Sequence, residues 1–101
     1  MAYKISFRKR ASLEYLSSLI WYKERSLQAA ENYVLAVNEA LGKVASYPHQ
    51  FRNTYQQFYE IGLKRYPFAI IYFIDEDLHQ VVIVSLFHYK RNPRKKFRDN
   101  E

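Results

Sequence analysis

The sequence predicts an α+β fold in the order β-α-α-β-β-β, an antiparallel four-stranded sheet with a helical hairpin on one face. Three observations lead there. Residues 3–8 alternate, with Tyr3, Ile5 and Phe7 on one side and Lys4, Ser6 and Arg8 on the other, the period of a strand. Two stretches of helical periodicity then follow with almost nothing between them. After Pro48 the chain reads as short apolar runs separated by polar turns.

The first helix is expected from Arg10 to about Arg25, a stretch without Gly or Pro. Leu13, Leu16, Ile20 and Lys23 share one face at helical spacing, Leu19 adjoins it, and Ser12 is a plausible cap. The second helix is expected over Leu27–Ser46. Ala30, Val34, Val37, Leu41 and Val44 make a narrow apolar seam, and Ser26 can cap it. Tyr47-Pro48 ends it, because a residue before proline avoids helical geometry. So short a connection requires an antiparallel hairpin.

Residues 48–54 read as a polar loop. Phe58–Lys64 alternates through Tyr59, Ile61 and Leu63. Phe68–Ile74 is apolar on both faces, as a central strand should be, with Pro67 at its entrance where no ladder donor is lost. Asp75-Glu76-Asp77 makes the turn into Gln80–Phe87, again apolar on both faces. Three strands in a meander and the N-terminal edge strand leave one sheet face without a helix, an apolar surface that the basic tail, a second copy or a partner would have to cover.

The 101 residues suffice for one domain and one core, with 88–101 as a basic C-terminal tail. Hydrophobic residues make up 49 % of the chain, which excludes a disordered polypeptide. The absence of cysteine excludes disulfides and thiolate metal sites and fits a reducing cytoplasm. No apolar run is long enough to span a membrane, and the first residues lack a signal core. Ten Tyr, seven Phe and one Trp favour a half-buried sheet with an aromatic binding face. Formal net charge is +6, which favours anionic partners. That charge concentrates where the last strand ends, with six Lys or Arg in residues 88–98.

An unperturbed imidazole titrates in the range useful to an acid or base, which points to His88, and Tyr89 and Arg91 adjoin it; these three are the catalytic candidates. Lys64 and Arg65 on the loop before Pro67, with Lys90 and Arg91, are candidate contacts for an anionic target or partner. Arg94, Lys95, Lys96 and Arg98 form a diffuse electrostatic patch. Trp21 and Tyr22 read as hairpin packing whose exposed part is a potential partner surface. His49 and His79 have no ligand spacing, so no metal is expected, and without a Gly-rich phosphate loop no cofactor is expected.

Leu13-Glu14-Tyr15-Leu16, Ile20-Trp21-Tyr22, Ser26 and Tyr47-Pro48 resemble the first half of RelE/ParE-type toxins. Leu63-Lys64-Arg65-Tyr66-Pro67-Phe68-Ala69 is similar to that family's arginine-aromatic-proline motif entering a strand. Val81–Phe87 followed by His88-Tyr89-Lys90-Arg91-Asn92-Pro93 is similar to its closing strand and histidine-to-arginine-x-proline ending. The resemblance spans roughly residues 3–97. It implies the toxin of a bacterial type II toxin–antitoxin pair, of a kind associated with plasmid stabilisation. Such a toxin is neutralised by a cognate antitoxin, as a homodimer or a toxin–antitoxin heterotetramer. ParE-like members are described as poisoning DNA gyrase by binding it. RelE-like members cleave messenger RNA on the ribosome, with basic residues on the second and third strands and an Arg with Tyr or His near the C-terminus. Here those strand positions align with Glu60, Gly62 and Ala69, and a carboxylate beside a scissile phosphate would repel it. ParE-like growth inhibition is therefore the expected action, with RelE-like endoribonuclease the first alternative. The residues alone also leave open a non-toxic RNA-binding module, whose sheet aromatics would stack bases.

Overall fold

The computed structural model describes residues 2–89. Strand β1 (Lys4–Phe7) leads into helix α1 (Lys9–Arg25) and helix α2 (Leu27–Ser46). A 3-10 turn, Pro48–Gln50, precedes β2 (Arg52–Tyr55), β3 (Phe58–Gly62), β4 (Phe68–Asp75) and β5 (Gln80–His88). The sheet has five strands in the order β1-β5-β4-β3-β2, not four. It is also mixed rather than antiparallel, because β1 lies parallel to β5, with Lys4 beside Gln80 and Phe7 beside Ile83.

The additional strand, β2, occupies part of the expected polar loop. Its sequence, Arg-Asn-Thr-Tyr, carries no apolar alternation, so periodicity could not reveal it. It is held by pairing with β3 and by Asn53, whose side-chain amide donates to the carbonyls of Gln56 (3.0 Å) and Phe58 (3.1 Å). This is the local amide-to-backbone bonding that makes Asn a turn residue.

Ser26 alone separates the two helices and caps α2 by accepting a hydrogen bond from the Ala29 amide at 2.9 Å. Tyr47 ends α2 as expected. α1 starts at Lys9, with Arg8 in extended geometry at its N-cap and no side-chain cap, so Ser12 does not serve that role. The α2 seam is buried at Ala30, Val37 and Val44, joined by Tyr33 and Ala40. The apolar face assigned to α1 points the wrong way. Leu13, Leu16 and Ile20 are 56 %, 49 % and 56 % exposed. The inward face instead carries Ala11 and Ser18, buried, with Glu14, Tyr15 and Tyr22 partly buried beside them. Two phenols and a carboxylate outrank three aliphatic side chains here because β5 offers the carboxylate its donors and Tyr33 of α2 packs against both phenol rings.

The sheet has two buried clusters. Toward the helices lie Ile61, Leu63, Phe68, Ile70, Tyr72, Val81, Ile83 and Leu86, packed with Tyr33, Val37 and Val44. On the outer face lie Phe58, Ile71, Val82, Val84 and Phe87, each at most 7 % exposed, with Phe73 against them. No residue of either helix joins this second cluster, yet it is not the bare apolar surface expected: its large side chains are buried. Arg8 sets its guanidinium over the Phe73 ring at 5.5 Å, and Glu60 on the same face is only 8 % exposed.

Candidate functional site

The geometry of the site is set by an irregularity in β5. Ile71 pairs with Ser85 but Tyr72 pairs with Ile83, so Val84 is one extra residue and the strand bulges. Before the bulge Val81 and Ile83 face the helices, while after it Leu86 does, and Phe87 faces out. A bulge leaves backbone donors out of register. Glu14, reaching across from α1, satisfies one: its Oε1 accepts from the Leu86 amide at 3.0 Å and from the Ser85 hydroxyl at 2.8 Å. Arg10 Nε lies 3.4 Å from the other oxygen. This carboxylate therefore fixes the phase in which the end of β5 leaves the sheet.

That phase decides which of the adjacent His88 and Tyr89 faces the helices. His88 turns to the helix side, edge-on to Phe68 with ring centroids 4.9 Å apart. It lines a cleft of about 550 Å³ together with Ser17, Ser18, Trp21, Tyr22, Pro67 and Phe68. Tyr22 is anchored by edge or tilted contacts with Tyr33 (4.9 Å) and Tyr66 (5.5 Å). Trp21 is half exposed, with the Arg25 guanidinium 3.3 Å from its ring centroid. The aromatic walls and the imidazole suit an apolar or planar group, and the two serines supply hydroxyls.

Tyr89 goes the other way. Its amide donates to Pro67 O at 2.9 Å. Its hydroxyl lies over Gly62, where an added Cβ would stand 3.0 Å from it. Partial burial raises the Tyr89 pKa above the usual phenol value; Glu60 raises it further and Arg52 opposes. Arg52 and Glu60 are cross-strand partners on β2 and β3. The outer face near Tyr89 thus holds Glu60, Gly62 and a fully buried Ala69, the three positions at which the sequence departs from the basic pattern.

Lys64 and Arg65 are exposed in the β3–β4 turn, which closes through the Leu63 amide donating to Phe68 O at 2.9 Å. Arg65 has φ of 70°, the left-handed region that a non-glycine residue enters at a cost. Lys90, Arg91, Arg94, Lys95, Lys96 and Arg98 lie outside the described residues. The fold brings His49 and His79 to one end, where Tyr3 stacks on His79 (3.9 Å) and His49 meets Glu76 at 2.8 Å. Among the described residues no cluster of three or more His, Asp or Glu side chains could hold a metal ion. No helix among them is long and apolar enough to cross a membrane.

Sequence reasoning missed Glu14 and Arg52. Glu14 bonds to residues 71 and 72 positions away, which no local spacing reveals, and Arg52 sat in an unrecognised strand.

Among solved structures, the chain is similar to a chain of the chromosomal ParDE toxin–antitoxin system from P. aeruginosa. The two are 13 % identical, 88 % of this chain and 98 % of that one align, and the TM-score is 0.61. It is also similar to a chain of the intact E. coli RelBE complex, with 18 % identity, 89 % and 100 % coverage and a TM-score of 0.62. A third is a chain of the RelBE2 complex of Mycobacterium tuberculosis, with 17 % identity, 87 % and 99 % coverage and a TM-score of 0.57. At these identities the likeness establishes the fold. No curated protein sequence matches. The family model described as the ParE toxin of the type II toxin–antitoxin system parDE matches residues 5–93. With the helical hairpin, the sheet and the closing His88-Tyr89 in place, the chain belongs to the ParE toxin family.

Proposed function

We propose that this protein arrests growth as a ParE-like toxin that binds DNA gyrase, and that a cognate antitoxin neutralises it. The observation that carries this reading is the division of the β5 terminus. A general acid and a general base working on one phosphodiester must both reach it. His88 opens on the cleft beside α1, whereas the Tyr89 hydroxyl stands over Gly62 on the outer face. On that outer face Glu60, Gly62 and Ala69 offer no cation to a pentavalent phosphate, and Arg52 stands across from the Glu60 carboxylate. A binder needs neither group. Family membership and the net charge of +6 support an acidic antitoxin partner. Similar solved structures come from the chromosomal ParDE toxin–antitoxin system of P. aeruginosa and the intact RelBE toxin–antitoxin complex of E. coli.

Purified full-length protein added to gyrase with relaxed plasmid should block supercoiling or trap cleaved DNA, and messages on translating ribosomes should stay intact. Cleavage of ribosome-bound message with gyrase unaffected would replace this reading with RelE-like ribonuclease action. In that case Ala substitutions at His88 and Arg91 should abolish cutting. Unimpaired growth on expression without an antitoxin would remove the toxin reading and leave an RNA-binding module.

A further inference from the structure

Helix α1 is apolar on the side directed away from the core. At 100° per residue, Lys9, Leu13, Leu16, Ile20, Lys23 and Glu24 occupy one outward arc, opposite buried Ala11 and Ser18. All six are exposed, and the three aliphatic side chains are about half accessible. The neighbouring helix shows what an ordinary solvent face looks like in this same protein. The outward arc of α2 carries Gln28, Glu31, Glu39 and Lys43, with Leu35 alone among them. The steps from Leu13 to Leu16 to Ile20 are three and four residues, the spacing of a helix-pairing seam rather than of scattered surface leucines.

The charges at the two ends of the seam select the occupant and its direction. In parallel self-pairing Lys9 meets Lys9 and Glu24 meets Glu24. In antiparallel pairing about a two-fold axis between Leu16 and Ser17, residue i faces residue 33 − i. Leu13 of each copy then packs on Ile20 of the other, and Lys9 of each copy meets Glu24 of the other. The apolar seam and the Lys9–Glu24 pair are thus complementary to themselves under one two-fold operation, as a closed homodimer requires, while Lys23 of each copy faces an Arg10 whose charge Glu14 already offsets. We infer that α1 is the interface of a homodimer in which two copies pack their first helices antiparallel. The contact lies opposite the sheet and leaves the β3–β4 turn and the outer face open, while Ser17, one wall of the His88 cleft, stands beside the two-fold axis. It is small, so the dimer is weak and forms in the micromolar range, at about the low end of interface sizes.

The test is sedimentation equilibrium of the full chain across low to high micromolar concentration. Wild type should pass from monomer to dimer. Leu16→Lys, on an exposed position, should remain monomeric with an unchanged urea midpoint. Lys9→Glu and Glu24→Lys should each weaken the dimer several-fold, and the double variant K9E/E24K should restore it, because the reversed charges again face each other. A monomer at every concentration would overturn the proposal and return this face to a different partner. A dimer insensitive to Leu16→Lys, or charge reversals without mutual rescue, would overturn it as well. None of these outcomes bears on the gyrase assay.

Discussion

Glu14 governs more of the site than any residue that touches the cleft. Its carboxylate holds the Ser85 hydroxyl and the Leu86 amide at the bulge and pairs with Arg10. Glu14→Ala strips the acceptor from a bulge donor and takes the carboxylate away from Arg10, so it should destabilise the fold by about 2–4 kcal/mol in urea unfolding. Ser85→Ala, which keeps the carboxylate on the Leu86 amide, should cost only about 1 kcal/mol. A Glu14→Ala loss no larger than that of Ser85→Ala would show that the bulge holds itself. Arg65 offers the opposite experiment. Its left-handed backbone suits Asn better than Arg, so Arg65→Asn should stabilise the protein by roughly 0.5–1 kcal/mol. If the Arg65 guanidinium contacts the target, the same variant loses growth inhibition while gaining stability. A gain in stability with full toxicity would remove Arg65 from the contact surface.

At the scale of elements, the helices and central strands were legible because their signals are local. Ser26 caps α2 through the Ala29 amide, and Ser26→Ala should cost about 1 kcal/mol, read as a lower thermal midpoint. A substitution there without effect would mean that packing of Tyr33, Val37 and Val44 alone defines where α2 begins. Tyr47-Pro48 likewise stops the helix where the sequence says it must. What escaped was decided by long-range partners. β2 exists because β3 supplies its hydrogen bonds, not because Arg-Asn-Thr-Tyr favours a strand. The parallel placement of β1 follows from the two helices carrying the chain back across the sheet, which period-two alternation cannot register. On α1, hydrophobic spacing chose Leu13, Leu16 and Ile20, while burial chose the face with Glu14, Tyr15, Ser18 and Tyr22. Binary patterning ranks aliphatics above phenols and carboxylates; a Leu86 N–H on β5 and the Tyr33 ring on α2 reverse that ranking. Of the proposed site, His88 and Tyr89 were legible as residues, but not which face each takes, because Val84 shifts the phase by one.

Two phenols, Tyr33 and Tyr72, are buried in the aliphatic core that joins the hairpin to the sheet, and this makes the stability of the whole molecule sensitive to alkali. Tyr33 is fully buried between α1 and the sheet, touching Tyr15, Tyr22, Tyr66 and Phe68. Its hydroxyl lies beside Ser18 without the alignment of a hydrogen bond. Tyr72, equally buried, donates to Pro48 O at 2.6 Å and stacks on Tyr59. Burial pushes both pKa values far above the ordinary phenol value, since a phenolate there would lose its water. The unfolded chain releases these protons near pH 10, whereas the folded chain retains them to a higher pH. The stabilisation is therefore complete below pH 10 and is lost as pH rises from there toward the folded pKa values. Each group should remove up to about 1.4 kcal/mol per pH unit in that window. Urea unfolding at pH 9 and pH 11 should show the loss, and Tyr33→Phe should shrink it by about one group's share. At pH 9 that variant should be neutral or slightly more stable, because it deletes a buried hydroxyl with no well-formed bond. Tyr72→Phe should also flatten the alkaline slope, but it should lose about 1 kcal/mol at pH 9 with the Pro48 hydrogen bond. Equal alkaline slopes in wild type and Tyr33→Phe would mean that this phenol ionises freely in the folded protein, and that the aromatic cluster joining the hairpin to the sheet is open to water.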